Sequence, residues 1–525
     1  MNNKELEELK RELSTEKGLL LSPDDIIEQI KIFRKGISPL KLLKPCTVGD
    51  GVKIISKTQQ EGYIKIFLSA LDEGRVIKFV PASGAATRMF KKQLSVLARL
   101  ENFNCIKVTD LADKGDEDCK AALEFFENIH RFAFYNELKK VTEISGKKLG
   151  ELIAEGNISD VILLVAEPSG LNYANLPKGC ILFHSYSEGA RTAFEEHLVE
   201  AKNYSTGKNK VINAHFTISP EHETEIKKLI NSLIEKYISK GWRFDVGFSF
   251  QSPSTDTISV TMDNKLFRDE IGKIVFRPAG HGALLKNLND LNADIISIKN
   301  IDNIVPDRLR DDTYKYKKVL GGYLISLQHK VFNFLRKLEK DKVDINLILE
   351  TINFIKVEFE IDLTHKLNEK PLTEIHRYLF NFLNRPIRVC GMVKKENHPG
   401  GSPFWVINEN DEMTKQIVET TQVDMADTNQ RRILDKATHF NPVDLVCGVK
   451  DFKGKHFNLE KFSNPETGLI TKKSKDGKEL KALELPGLWN GGMYFWLTVF
   501  VEVPKITFNP VKEVNDLLKP EHQPA

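Results

Sequence analysis

The chain has 525 residues, with 76 basic and 73 acidic side chains and a formal net charge of +3. That near balance excludes a bulk nucleic-acid binder, which carries a clear basic excess, so an anionic ligand must be met by local charge. Hydrophobic content of 41% with 28% charged residues fits a globular protein too long for one small domain.

The opening stretch "MNNKELEELKRELSTEKG" is charged and helical rather than apolar, and does not read as a signal peptide. Residues 1 to about 70 keep apolar positions at helical spacing, with Ser22 and Pro23 as an N-cap and first-turn pair. A helical N-terminal extension is expected there. Strand-like apolar runs then recur: "VIKFV" (76–80), "VILLVA" (161–166), "CILFH" (180–184), "INAHFTIS" (212–219), "FDVGFSF" (244–250) and "DIISIKNI" (294–301). Helical patterns lie between several of them, notably 220–240 and 283–291. This alternation predicts an α/β core over 71–310 with a mixed, mainly parallel sheet. Helical blocks at about 91–160 and at 311–385 read as insertions. Residues 386–525 are rich in short strands and are expected to complete the core as a β-rich C-terminal part.

No apolar run reaches the length of a membrane span, so no membrane partner is expected. The six cysteines (Cys46, Cys105, Cys119, Cys180, Cys390, Cys447) are far apart and never spaced as CxxC. Neither a zinc motif nor a disulfide framework is expected, which fits a reducing, cytoplasmic location. His184, His197 and His215 are not spaced as metal ligands and read as ordinary packed or surface histidines.

In an open α/β sheet, ligands bind at the carboxyl ends of the strands, so the residues just after each run carry the information. After "VIKFV" comes a run of tiny residues, Ala82-Ser83-Gly84-Ala85-Ala86, then Thr87 and Arg88. Tiny residues let a ligand approach the backbone, and a helix start with a fixed cation suits an anion. A tight turn packed on a neighbour would use the same residues. The spacing is not a P-loop: "GAATRMFK" lacks the second glycine and the Lys-Ser/Thr pair.

Further segments follow in a telling order. Pro177-Lys178 leads into "CILFH"; Gln251 follows "FDVGFSF"; Gly280-His281-Gly282, within "PAGHGALL" (278–285), opens a helix; Ile301-Asp302-Asn303 closes the run before it. This ordered set resembles the sugar-1-phosphate nucleotidyltransferases of the GT-A fold, and within them the UDP-sugar pyrophosphorylase branch, whose opening loop is of type GGxGTR(L/M). The likeness spans about 76–303 well and 387–516 more loosely, through Glu419, "LWNGGM" (488–493) and "WLTVFVEV".

The resemblance implies an enzyme that joins a nucleoside triphosphate, UTP in this branch, to a sugar 1-phosphate, releasing pyrophosphate with Mg²⁺. Such chemistry rests on positioning and charge neutralisation. By that resemblance the 82–87 loop binds the nucleotide and Arg88 holds its phosphates. Lys178 neutralises the attacking phosphate, and Asp302 binds Mg²⁺ with Glu502 as a second ligand. Gln251 and Gly280-His281-Gly282 read base and ribose, and Glu419, Asn490 and Gly491 face the sugar. Taken singly, Arg88 is also a surface ion-pair residue, Lys178 a solvated lysine and Asp302 a strand-end turn former. A GT-A glycosyltransferase would share the fold, but its DxD motif is replaced here by "IDNIVPD". A non-catalytic nucleotide-binding protein on the same fold is the other alternative. Ser83 and Ala86 stand where the family has glycine: an alanine forced to positive φ at 86 would be strained, whereas closeness alone tolerates it.

Overall fold

A computed structural model describes residues 3–16, 19–100, 104–277, 280–340, 343–396, 400–408, 412–475 and 477–524. The fold is α/β, with mixed, mainly parallel sheet and many helices. The chain forms two units, each discontinuous in sequence. The first comprises 1–69, 250–298 and 318–503; the second comprises 70–249, 299–317 and 504–525.

In the first unit the N-terminal stretch is helical only in part. Ser22 caps the helix Pro23–Lys35 as expected, its Oγ accepting the Asp25 N–H at 3.2 Å. Ile26, Ile27, Ile30 and Phe33 then recur at helical period and are buried with Ile258 and Val260. Residues 41–53, however, form the strands Lys41–Pro45, Thr47–Val48 and Gly51–Lys53 before the next helix, Lys57–Asp72. The first of these pairs antiparallel with Ser402–Ile407, so tertiary pairing overrides the helical pattern. The C-terminal half supplies the short strands expected of it. Ile387–Lys394 pairs in parallel with Leu497–Glu502 and antiparallel with Asp444–Gly448.

The second unit is built on the strand Val76–Pro81, parallel to Val211–Ile218, with Arg243–Phe250 beyond it. Expected strands at 180–184 and 294–301 appear as Leu182–Tyr186 and Ile295–Lys299, the latter reaching the second unit at its last residue. One expected strand is wrong. "VILLVA" lies in the helix Ile158–Ala166, with Ile158, Val161, Ile162, Leu164, Val165 and Ala166 all buried. It packs among the helices Lys91–Arg99, Glu117–Glu127 and Tyr135–Ile144, so its apolar residues are covered on nearly every side. A short run that is apolar all round has the same composition in a buried strand and a buried helix. Among the described residues no helix is long and apolar enough to cross a membrane.

Candidate active site

The strand Val76–Pro81 runs on by one ladder bond, Ala82 N–H donating to the Thr217 carbonyl at 2.8 Å. The chain then leaves the sheet. Gly84 and Ala85 are exposed, and Ala86 is buried at the start of the short turn Ala86–Arg88. This loop is stitched to residues 174–178 by three bonds. Lys178 N–H donates to Gly84 O (3.1 Å), Ala86 N–H to Leu176 O (3.0 Å) and Thr87 Oγ1 to Ala174 O (2.8 Å). Arg88 and Lys178, about 90 residues apart in sequence, therefore belong to one neighbourhood. The helices between them form their own cluster around Phe125, Phe132, Phe134 and Tyr173.

No residue from 82 to 88 takes a positive φ; Ala85 sits at φ −67°, ψ 145°. Ala86 is thus unstrained, and the backbone at 84 does not require a glycine. A Cβ built on Gly84 meets nothing within 4 Å. Gly84→Val is accordingly expected to keep Tm close to wild type, which thermal unfolding checks.

Arg88 is exposed and makes no ion pair among the described residues. Lys178 opens the turn Lys178–Cys180, seated against Phe194: a Cβ on Gly179 would lie 2.4 Å from that ring. Lys178 Nζ donates to Asp302 Oδ2 at 3.1 Å and to the Val511 carbonyl at 2.9 Å. A second ammonium, Lys512 Nζ, reaches the same Oδ2 at 3.0 Å. Burial raises the Asp302 carboxyl, but Lys512 and Lys178 outweigh it and hold its pKa below the usual carboxylate range. Its Oδ1 is buried without a hydrogen-bond partner.

Lys512 carries no role in the sequence reading. It arrives through the corner after Asp302, where Asn303 Oδ1 accepts the Asn509 N–H (3.0 Å) and Asn303 Nδ2 donates to Thr507 O (3.3 Å). The asparagine of "IDN" is a clamp for the C-terminal segment. The segment is fixed again at His522, whose Nδ1 meets His184 Nε2 at 3.0 Å. His184 Nδ1 in turn meets Glu196 Oε1 at 2.7 Å, and Glu196 also takes Tyr186 OH and Arg310.

Behind the loop lies a second charge cluster. Lys78 and Lys299 share Glu200, at 3.1 and 2.7 Å, and Tyr204 OH completes the carboxylate. His197 Nε2–H donates to the Ile301 carbonyl at 3.1 Å, next to Asp302. Burial and then Lys78 hold the pKa of that imidazole well below its usual value. His184 and His197 are packed histidines, as expected. His215 is too, its Nε2 meeting Ser249 Oγ at 2.9 Å.

The remaining candidates belong to the first unit. Gln251 follows the strand Arg243–Phe250 and is half-buried. Gly280–Ala283 forms the turn into the helix Leu284–Asn289, and a Cβ on Gly282 would lie 2.5 Å from Leu485 Cβ. Residues 278–279 and the His281 side chain lie outside the described residues. Glu419 and Asn490 do come together: the Glu419 N–H (3.1 Å) and Asn490 Nδ2 (3.5 Å) both donate to Gln422 Oε1. Asn490 Oδ1 is buried without a partner. Gly491 packs beside them, where a Cβ would lie 2.3 Å from Thr467 Oγ1. Glu502 is engaged elsewhere, its carboxylate meeting His439 Nε2 at 3.0 Å. Among the described residues no three His, Cys, Asp or Glu side chains converge as a metal site.

The family described as "Domain of unknown function (DUF4301)" matches residues 8–523. The chain belongs to this family. No curated protein matches it. Solved structures similar to the DUF4301 chain include the following. A uridine diphosphate N-acetylglucosamine pyrophosphorylase from Trypanosoma brucei is 12% identical, with TM-score 0.47, covering 94% of this chain and 74% of that one. A UDP-glucose phosphorylase from the same organism is 11% identical, with TM-score 0.44 and coverage of 98% and 78%. A UDP-glucose pyrophosphorylase from Leishmania major is 10% identical, with TM-score 0.41 and coverage of 99% and 79%.

Proposed function

We propose that this chain is a nucleotidyltransferase joining a nucleoside triphosphate, UTP by the sequence resemblance, and a sugar 1-phosphate into a nucleotide-diphospho-sugar. A sugar-phosphate oxygen attacks the α-phosphorus, the α–β anhydride P–O bond breaks, and pyrophosphate leaves with the bonding electrons. One observation carries the reading: the small-residue loop, Lys178 and Asp302 adjoin within one unit, with Lys178 hydrogen-bonded to both. Charge neutralisation and positioning are what phosphoryl transfer asks of a protein.

In this reading exposed Arg88 engages the β- and γ-phosphates, and Gly84 leaves room beside the backbone. Lys178 and Lys512 neutralise the phosphates that react. Asp302 Oδ1, buried and unpartnered, suits a hard cation, and Mg²⁺ with one protein carboxylate would complete its shell from water and phosphate oxygens. When bound, Mg²⁺ supplies charge compensation for the leaving pyrophosphate. Gln251 and Gly280–Gly282 stay the candidates for the base, and Glu419, Asn490 and Gly491 for the sugar. Glu502 is the weaker metal candidate, since His439 occupies its carboxylate.

A glycosyltransferase reading is disfavoured. Asn303, standing where a DxD motif continues, spends its side chain on Asn509 and Thr507, and Asp307 is paired with Arg191 and Arg310. The test is pyrophosphate release with Mg²⁺, each NTP and a panel of sugar 1-phosphates. Release that falls at least 100-fold in Lys178→Ala is the expected result. No release with any pair, despite UTP binding, marks a non-catalytic nucleotide binder instead.

A further inference from the structure

A cavity of about 430 Å³ opens within the first unit, a size typical of small-molecule sites. It lies where the parallel strands Ile387–Lys394 and Leu497–Glu502 begin, Ile387 facing Leu497. None of the candidate site residues named above lines it.

Its lining carries the cations Lys366, Arg385 and Lys415 and the carboxylates Asp362 and Glu412 beside several aromatic rings; Lys415 is paired with Glu360 and Asp362 with Lys356. Tyr378 and Phe382, one turn apart on the helix Leu372–Leu383, have ring centroids 6.2 Å apart. Lys366 Nζ stands 5.1 Å from the Tyr378 centroid, and the Arg385 guanidinium 5.1 Å from that of Phe382. Lys366 is matched by Glu412. Arg385 has no carboxylate partner among the described residues; its Nε–H reaches only the Asn381 carbonyl, at 3.4 Å. Burial pushes both cations down from their usual values, and Arg385 is among the charges that push Lys366 further. A half-buried guanidinium with no counter-charge is costly, and its planar fork of donors fits carboxylate and phosphate oxygens. Phe495 and Trp496 extend the lining with apolar surface.

We propose that this cavity binds a small organic anion, its carboxylate or phosphate headgroup on Arg385 and its ring-sized apolar body against Tyr378, Phe382, Phe495 and Trp496. The probe is anilinonaphthalene sulfonate, an aromatic anion whose fluorescence rises in apolar sites, titrated into the full-length protein. One saturable site is expected, displaced by benzoate or phenyl phosphate but not by neutral benzyl alcohol. The stronger competitor identifies the headgroup. Arg385→Met should weaken the probe at least tenfold, Arg385→Lys should restore most of that loss, and Lys178→Ala should leave it unchanged. Equal affinity in Arg385→Met, or displacement by benzyl alcohol as well as by benzoate, overturns the proposal. A crystal of the wild-type protein soaked with 4-bromobenzoate is independent of variant folding. An anomalous bromine peak beside Arg385 supports the site, and a peak only elsewhere overturns it.

Discussion

Replacing Glu200 with glutamine is expected to destabilise the protein by about 3–5 kcal/mol, the scale for breaking a buried ion pair from one side. Glu200 is fully buried, as is Lys78, and Lys299 is 1% exposed. One carboxylate accepts both ammonium groups and the Tyr204 hydroxyl. Glutamine keeps the shape but removes the charge, and it turns an amide N–H₂ toward one of the lysines. The two buried amines then lose their shared counter-charge. Burial already drags Lys78 down to about 7 with Glu200 in place, against the support of that carboxylate. The damage should reach the site, because Lys78 precedes the small-residue loop on one strand and Lys299 leads into Asp302 on another. Thermal unfolding should show a fall in Tm of roughly 10 °C, by the usual scaling of stability with melting temperature in large domains. The double variant Glu200→Gln/Lys78→Met should recover part of the loss, since it removes one of the two amines left without a carboxylate partner. An unchanged Tm in the single variant would mean that the carboxylate is not what holds the cluster together.

The strands that frame the loop were legible because each is a short apolar run followed by turn residues, and Val76–Pro81, Val211–Ile218 and Ile295–Lys299 appear close to their expected bounds. Periodicity failed where burial is uniform: nothing in "VILLVA" distinguishes a helix sunk among other helices from a sheet strand. It failed again at 41–53, where partners from the strands Ser402–Ile407 and Leu497–Glu502 decide the conformation. The meeting of the loop with Lys178 and Asp302 was legible only through ordered motifs, because proximity between positions far apart has no local pattern. Lys512 shows the same limit from the other side. Its approach to Asp302 depends on what Asn303 does with its side chain, a long-range contact that composition does not encode. The substituted glycines were undecidable for a simpler reason. Ser83 and Ala86 are acceptable only if φ stays negative, and φ is a property of the folded loop.

Asp302→Asn is expected to lower kcat/KM for pyrophosphate release on the order of 10²–10³-fold, the range seen when one preorganised electrostatic group is removed from a transfer site. The substitution preserves volume and leaves Lys178 and Lys512 in place, but their shared counter-charge disappears. The two lysines should respond differently. The Lys178 side chain is 11% exposed and depends on Asp302 and the Val511 carbonyl, whereas that of Lys512 is 59% exposed and can turn to water. Lys512→Met should therefore cost less activity than Lys178→Ala. Asp302 is held below the usual carboxylate range in the folded protein, so its contribution to stability is complete above the unfolded value of about 4. It is lost as pH falls through the depressed folded value. The gap in Tm between wild type and Asp302→Asn should then be constant at neutral pH and close only under acid conditions, and the gap in rate should close over the same range, because protonation removes the same charge. A fall in Tm at neutral pH with no fall in rate would identify Asp302 as a fold contact for Lys178 and remove it from the reaction.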